Sequence, residues 1–163
     1  MNYNQFISLF RQQLANLSYT KQIDFALAVC NKLYIDYQKF VEVHNWGNPD
    51  LLMTAIKLCE LNRIDNVDRK KIEAMLPEIE AIAPDMDDFG DNVSSYALNT
   101  AGAVYETLEF LIDHDIEHIY NVGICLTDNV DFKVQEDGAI TEDEIESHPM
   151  MLEAWEYIIQ LSK

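Results

Sequence analysis

From Phe6 to Leu161 the apolar residues recur every three or four positions, almost without a break. Phe6, Leu9, Phe10, Leu14 and Leu17 mark one helical face, and Ile23, Ala26, Leu27, Cys30 and Leu33 mark the next. Thr20 is the expected cap of this second helix, which runs on, or bends, through Tyr34, Tyr37, Phe40 and Val41. The turn Trp46-Gly-Asn-Pro-Asp50 stops it. Asn48 as cap and Pro49 at the first helical position open a third helix carrying Leu52, Ile56 and Cys59. A fourth is expected from about Asn66, with Val67, Ile72, Met75 and Leu76, and Pro77 should kink or interrupt it.

The second half continues in the same way. A long helix opens near Asn92 or Ser94 and carries Tyr96, Ala97, Thr100, Val104, Leu108 and Leu111. Its small residues Ala101-Gly-Ala103 predict a closely packed neighbour. Asp115 should cap the next helix, with Ile119, Val122, Ile124 and Leu126, ended by the polar stretch Gln135 to Gly138. Thr141-Glu-Asp-Glu144 is a capping box that begins either a last helix or a short turn. Pro149 then starts a closing helix with Leu152, Trp155, Ile158, Ile159 and Leu161. With 163 residues, 48% apolar, and only 5 Gly and 4 Pro, the expectation is all-α. It is a single helical domain over 1–163, a compact bundle of six or seven helices.

Charge is the second constraint. The formal net charge is −18. Residues 1–71 carry nine basic and seven acidic side chains, whereas residues 72–163 carry two, Lys133 and Lys163, against twenty-two acids. Such a chain repels phosphates, which excludes direct nucleic-acid binding, and its acidic half repels an anionic membrane surface. It suits fast association with a basic protein. No apolar run reaches the ~20 residues of a membrane span, and Met1-Asn-Tyr-Asn-Gln lacks the basic start and apolar block of a signal peptide. Cys30, Cys59 and Cys125 are isolated among apolar neighbours, as buried reduced thiols of a cytoplasmic protein would be.

Two stretches imitate metal sites. Ala83-Pro-Asp-Met-Asp-Asp-Phe-Gly-Asp-Asn92 gathers Asp85, Asp87, Asp88 and Asp91 around Gly90. Counted as a calcium loop from Asp85, it puts Phe89 and Tyr96 where oxygen ligands are required. The acids read instead as a helix start, where carboxylates meet the positive end of the dipole, with Phe89 as the loop's anchor. His114-Asp-Ile-Glu-His118 spells an inverted zinc-peptidase pattern. Asp115 as a cap would split its two His residues between elements, leaving one at a helix end and one packed between helices. No metal or cofactor is expected, and no nucleophile elbow or phosphate loop is present.

The acids also form stripes. Glu106, Glu109, Asp113 and Glu117 would share one face of an unbroken helix, and like charges at that spacing repel. Glu136, Asp137, Glu142, Asp143, Glu144 and Glu146 form a second group. Tyr34, Tyr37, Phe40 and Trp46 read as packing between helices.

Four patches carry a family resemblance. Phe25-Ala-Leu-Ala-Val-Cys-Asn-Lys-Leu-Tyr34 with Tyr37 and Phe40 resembles the first long helix of the YjaG-like bacterial family, a domain of unknown function. Trp46-Gly-Asn-Pro-Asp50, Ile79-Glu-Ala-Ile-Ala-Pro-Asp-Met-Asp-Asp-Phe89, and Ile140 to Pro149 with Glu153 and Trp155 resemble its later segments. The resemblance spans about residues 20–160 and implies an all-helical fold with no activity to carry over. By analogy and charge, the chain is also similar to immunity proteins of bacterial toxin systems. The expectation is a cytoplasmic, non-enzymatic protein that neutralises a basic toxin, such as a nuclease, with its acidic residues. The alternative is a housekeeping helical protein that binds a small ligand or acts as a scaffold.

Overall fold

The structure is a computed structural model describing residues 1–64 and 67–163. Among the described residues there are eight helices and no strand. They are α1 (Tyr3–Asn16), α2 (Tyr19–His44), α3 (Pro49–Leu61), α4 (Arg69–Ile82), α5 (Asn92–Asp113), α6 (Ile116–Glu136), α7 (Glu142–Ser147) and α8 (Pro149–Leu161). The count exceeds the six or seven expected; the capping-box segment does form a helix, the six-residue α7.

Most helix starts follow local capping chemistry. Asn48 accepts from the Leu51 N–H with Pro49 behind it, Asp91 accepts from Ser94, and Asp115 accepts from Glu117. Thr141 and Glu144 exchange both bonds of a capping box. One expectation was misplaced. Ser18, not Thr20, caps α2, accepting from the Lys21 N–H two residues earlier than predicted. The expected start at Asn66 lies outside the described residues; α4 begins at Arg69, capped by Asp68. Pro77 does not interrupt α4, which runs through it to Ile82. Nor is α2 broken: it spans 26 residues and stops at Asn45, a C-cap in the left-handed region.

The central helix is α5, which packs most extensively on α6, α2 and α4. Its small residues allow this: Ala101 and Ala103 are buried, and a side chain on Gly102 would meet the Cys125 sulfur of α6 at 3.8 Å. A second packing axis is aromatic. Trp155 of α8 stacks on Phe6 of α1, Phe6 on Phe10, and Phe10 meets Phe25 of α2 and Tyr120 of α6. Gly123 of α6 makes room for it, since a Cβ there would lie 2.5 Å from Phe10 Cζ.

Tyr37 closes the turn after α2. Fully buried, it donates to the Ile82 carbonyl at 2.7 Å and accepts from the Asn48 N–H at 3.2 Å. One hydroxyl thus joins α2 and the end of α4 to the start of α3. The three cysteines are free; Cys30 and Cys59 are buried and Cys125 is partly so. Burial pushes the Cys30 thiol up to about 12, so it is an inert core group.

Candidate functional site

Two acidic groups that are distant in sequence meet at one end of the bundle. Asp91 starts α5 and Glu136 ends the antiparallel α6. Asn92 donates across the pair to Glu136 at 2.8 Å, and Tyr96 donates to the other Glu136 oxygen at 2.7 Å. The loop holding Asp85, Asp87 and Asp88 therefore lies at the same end as Asp137, Glu142, Asp143, Glu144 and Glu146.

Some of these carboxylates are occupied by structural bonds. Asp91 accepts from the Ser94 hydroxyl and N–H and pairs with His44 at 2.8 Å, and these bonds hold its pKa below the ordinary value, the Ser94 hydroxyl most. Glu136 is lowered chiefly by Asn92, then by Tyr96, with Lys39 and Lys133 nearby. Glu144 is lowered by the N–H groups of Thr141 and Ile140. Asp137 meets His148 at 3.1 Å, and Asp85 caps its own loop by accepting from the Asp87 N–H. Asp87, Asp88, Glu142 and Asp143 are exposed and bind no cationic side chain among the described residues. Phe89 anchors the acidic loop as expected, packing on Phe40, His44 and Trp46. Trp46 itself remains 36% exposed.

Beside this end, between the start of α1 and helices α6, α7 and α8, lies a cavity of about 230 Å³. Asp128, Asp131, Glu142 and Glu146 line it, and among the described residues no Lys, Arg or His does. Trp155 and Tyr3 contribute aromatic wall. One carboxylate oxygen of Asp131 and the indole Nε1 of Trp155 are buried without a hydrogen-bond partner. Burial first, and the charge of Asp131 second, push the Asp128 pKa above the ordinary carboxylate value. Glu142 and Glu146 belong to the expected acidic group, but Asp128 and Asp131 were missed. The available signal was a pair of acids at i, i+3 between the core positions Leu126 and Val134 of α6.

The other acidic stripe lies at the opposite end of α5. It does not continue to Glu117, because His114 ends the helix with φ +62°. Glu117 instead pairs in two bonds with Arg11 of α1. The zinc-peptidase pattern is split as expected: His114 packs on Tyr19 and Phe110 while His118 sits on α6. His118 Nδ1 lies 2.5 Å from Glu106 and 3.5 Å from Glu109, and its Nε2 lies 3.0 Å from Asp113. Burial opposes a second proton on this ring, but the hydrogen bonds to Glu106 and Asp113 outweigh it and raise the pKa. An imidazolium here offsets the repulsion within the stripe. Glu106, Glu109 and His118 are also the group of side chains that could hold a metal ion among the described residues.

The family model described as a protein of unknown function, DUF416, matches residues 9–163. The chain belongs to the DUF416 family. Its fold is similar to that of a DUF416 family protein from Shewanella baltica solved by crystallography, with a TM-score of 0.81 at 23% identity. The likeness covers 93% of this chain and 80% of that one, and it supports the all-α bundle alone. No curated protein matches the chain. No helix among the described residues is long and apolar enough to cross a membrane.

Proposed function

We propose that this DUF416 protein is a non-catalytic binding protein whose acidic end receives a basic protein. In its most specific form this is immunity: neutralising a basic toxin, such as a contact-dependent or other polymorphic nuclease, by covering the cleft that receives nucleic-acid phosphates. The observation carrying the reading is the convergence of Asp85, Asp87, Asp88 and Asp91 with Glu136, Asp137 and Glu142 to Glu146 at one end, bridged by Asn92 and Glu136. Asn92 and Glu136 tie the start of α5 to the end of α6, several nearby carboxylates are idle, and Trp46 offers an exposed aromatic beside the acidic loop. Charge of this kind sets encounter rate and partner choice, while an aromatic anchor supplies affinity. The cytoplasm, where three free thiols stay reduced, is the proposed site of action. Kinship with the YjaG-like branch is proposed on the four patches quoted above.

The test is binding to a panel of basic nucleases at two ionic strengths, with the wild type and a variant neutralised at Glu142, Asp143 and Glu146. Association that is fast, salt-sensitive and slowed in the variant is expected. Weak binding unaffected by the substitutions would defeat the proposal. The second reading, small-ligand binding without catalysis, is favoured by one observation, the cavity lined by Asp128, Asp131 and Trp155.

A further inference from the structure

A groove of about 410 Å³ runs between α3 and α4. Its walls are two helical stripes of the same spacing: Thr54, Lys57, Leu58 and Leu61 on α3, and Lys71, Ala74, Met75 and Glu78 on α4. Leu58 and Met75 are half-buried and pack on the core, so they form the floor. Leu61 stands at the rim, 82% exposed. A lone exposed leucine needs no explanation, but one that extends an apolar floor marks an interaction surface. The Asp68 N–H donates to the Asn62 side chain at 2.7 Å, which bonds the start of α4 to the end of α3. Leu61 and Lys71 therefore share one end of the groove, and Thr54 and Glu78 share the other.

This is the electropositive part of an acidic molecule. Residues 57–71 carry five cations against three acids, in a chain of net charge −18. Arg63 and Arg69 are engaged, by Asp24 and Glu73. Among the described residues Lys57 makes no ion pair, and Lys71 reaches Asp68 only at 3.8 Å. Lys71 also lies in the first turn of α4, at the positive end of its dipole. Salt screens charges beyond ~8 Å, so these local cations, and not the distant acids, set what the groove attracts.

The shape narrows the occupant further. No strand exists among the described residues, so an extended peptide finds no sheet edge to join. A flat bilayer surface does not fill a concave groove, and the acidic half of the chain repels an anionic one. A second copy meeting groove to groove would set lysine against lysine. The side-chain ridges of a third helix fit between those of α3 and α4, and carboxylates on its flanks complement Lys57 and Lys71.

We infer that the α3–α4 groove docks an acidic amphipathic helix of a partner protein, its leucine-type residues seated on Leu58, Leu61 and Met75 and its Asp or Glu beside Lys57 and Lys71. The flexible Met75 lets the floor adapt to the side chains it receives. This partner surface is acidic, opposite in sign to the one proposed for the acidic end, so the two contacts stand or fall separately.

The probe is a labelled, capped peptide of ~18 residues, long enough to hold a helix, with Leu at i, i+3, i+4 and i+7 and Glu on both flanks. The controls are a scrambled peptide of the same composition and one with Lys in place of each Glu. Fluorescence anisotropy measures affinity, and methyl NMR of the full chain locates the contact. Saturable binding of the acidic amphipathic peptide, weakened by salt, is expected, with shifts at Leu58, Leu61 and Met75. Leu61→Ser, at a position too exposed to disturb the fold, should weaken it about ten-fold. Lys57→Glu combined with Lys71→Glu should reverse the preference toward the Lys peptide. Neutralising Glu142, Asp143 and Glu146 should change nothing, which separates this site from the acidic end. No binding of the amphipathic peptide, equal binding of the scrambled one, or indifference to Leu61→Ser and to the charge reversal overturns the inference. So does binding to phosphatidylserine–phosphatidylcholine vesicles in place of the peptide, or a dimer that Leu61→Ser abolishes, since each gives the groove another occupant.

Discussion

Replacing Asp131 with Asn should make the unliganded protein more stable, which is the opposite of the usual result for a partly buried position. The side chain keeps its size, so no cavity is opened. What is lost is a charge whose buried oxygen has no donor and which raises the pKa of Asp128. An unsatisfied buried group costs about 1–3 kcal/mol. The amide still needs partners and recovers only part of this. A net gain of roughly 1–2 kcal/mol follows, or about 2–8 °C in Tm at the 2–4 °C per kcal/mol expected for a chain of this length. Urea unfolding followed by circular dichroism at neutral pH and low salt measures it, with an unchanged m-value showing that the midpoint shift is a change in stability. A less stable Asp131→Asn protein would refute the reasoning, because it would mean that the Asp131 charge already has a partner in the isolated protein.

Tyr37→Phe leaves the Ile82 carbonyl and the Asn48 N–H without their shared partner and should cost about 2 kcal/mol. Tyr34→Phe, which loses one part-buried bond to the Pro49 carbonyl, should cost under about 1 kcal/mol in the same unfolding assay. Gly123→Ala should lower Tm: the gain of about 1 kcal/mol in helix propensity is outweighed by about 1–3 kcal/mol of overpacking against Phe10, and a higher Tm would contradict the packing described. Asp91 and Glu136 have lowered pKa values, so the stability they contribute is present above the ordinary carboxylate range and is lost as pH falls through their folded values. Asp128 is raised and acts in the opposite sense, so Asp128→Asn should stabilise the protein at neutral pH and lose that advantage as pH falls below the folded Asp128 value in pH-dependent melting.

The helices were legible because each start is written locally. Asn48-Pro49, Asp115 and Thr141-Glu-Asp-Glu144 each satisfy their own backbone N–H groups within a turn, and no tertiary knowledge is required. Thr20 misled because Ser18, an equally good cap, lies two residues upstream and only the path of the chain selects between them. Pro77 does not interrupt α4, since a prolyl ring removes one backbone bond while Ile72, Ile79 and Ile82 on the same helix remain buried. The site was less legible. Asp128 and Asp131 stand out only when α1, α7 and α8 arrive to close a cavity over them, and no spacing within α6 encodes that arrival. The convergence of the two acidic groups was hidden for the same reason, since it depends on α5 and α6 running antiparallel.

Helix dipoles separate the two acidic centres further. Glu109 and Asp113 lie in the last turns of α5, and Asp128 and Asp131 lie in the second half of α6. A carboxylate is unfavourable in the last turn of a helix, where unpaired carbonyls concentrate negative charge; this applies to Asp113 and not to Asp128 or Asp131, which lie further from their helix end. In α5 the protein supplies the remedy itself: the start of α6 brings His118 against Glu106, Glu109 and Asp113. In α6 the corresponding cation, Lys133, is turned away from the cavity and bonds to Asp36 of α2 at 2.8 Å. The same chain thus compensates one misplaced acidic cluster from within and leaves the other uncompensated beside two orphan polar atoms. A cluster bridged by an imidazole of the same chain is explained by folding alone. The one around Asp131 has no such cation among the described residues that line its cavity, so it is there that removing a charge is expected to raise stability.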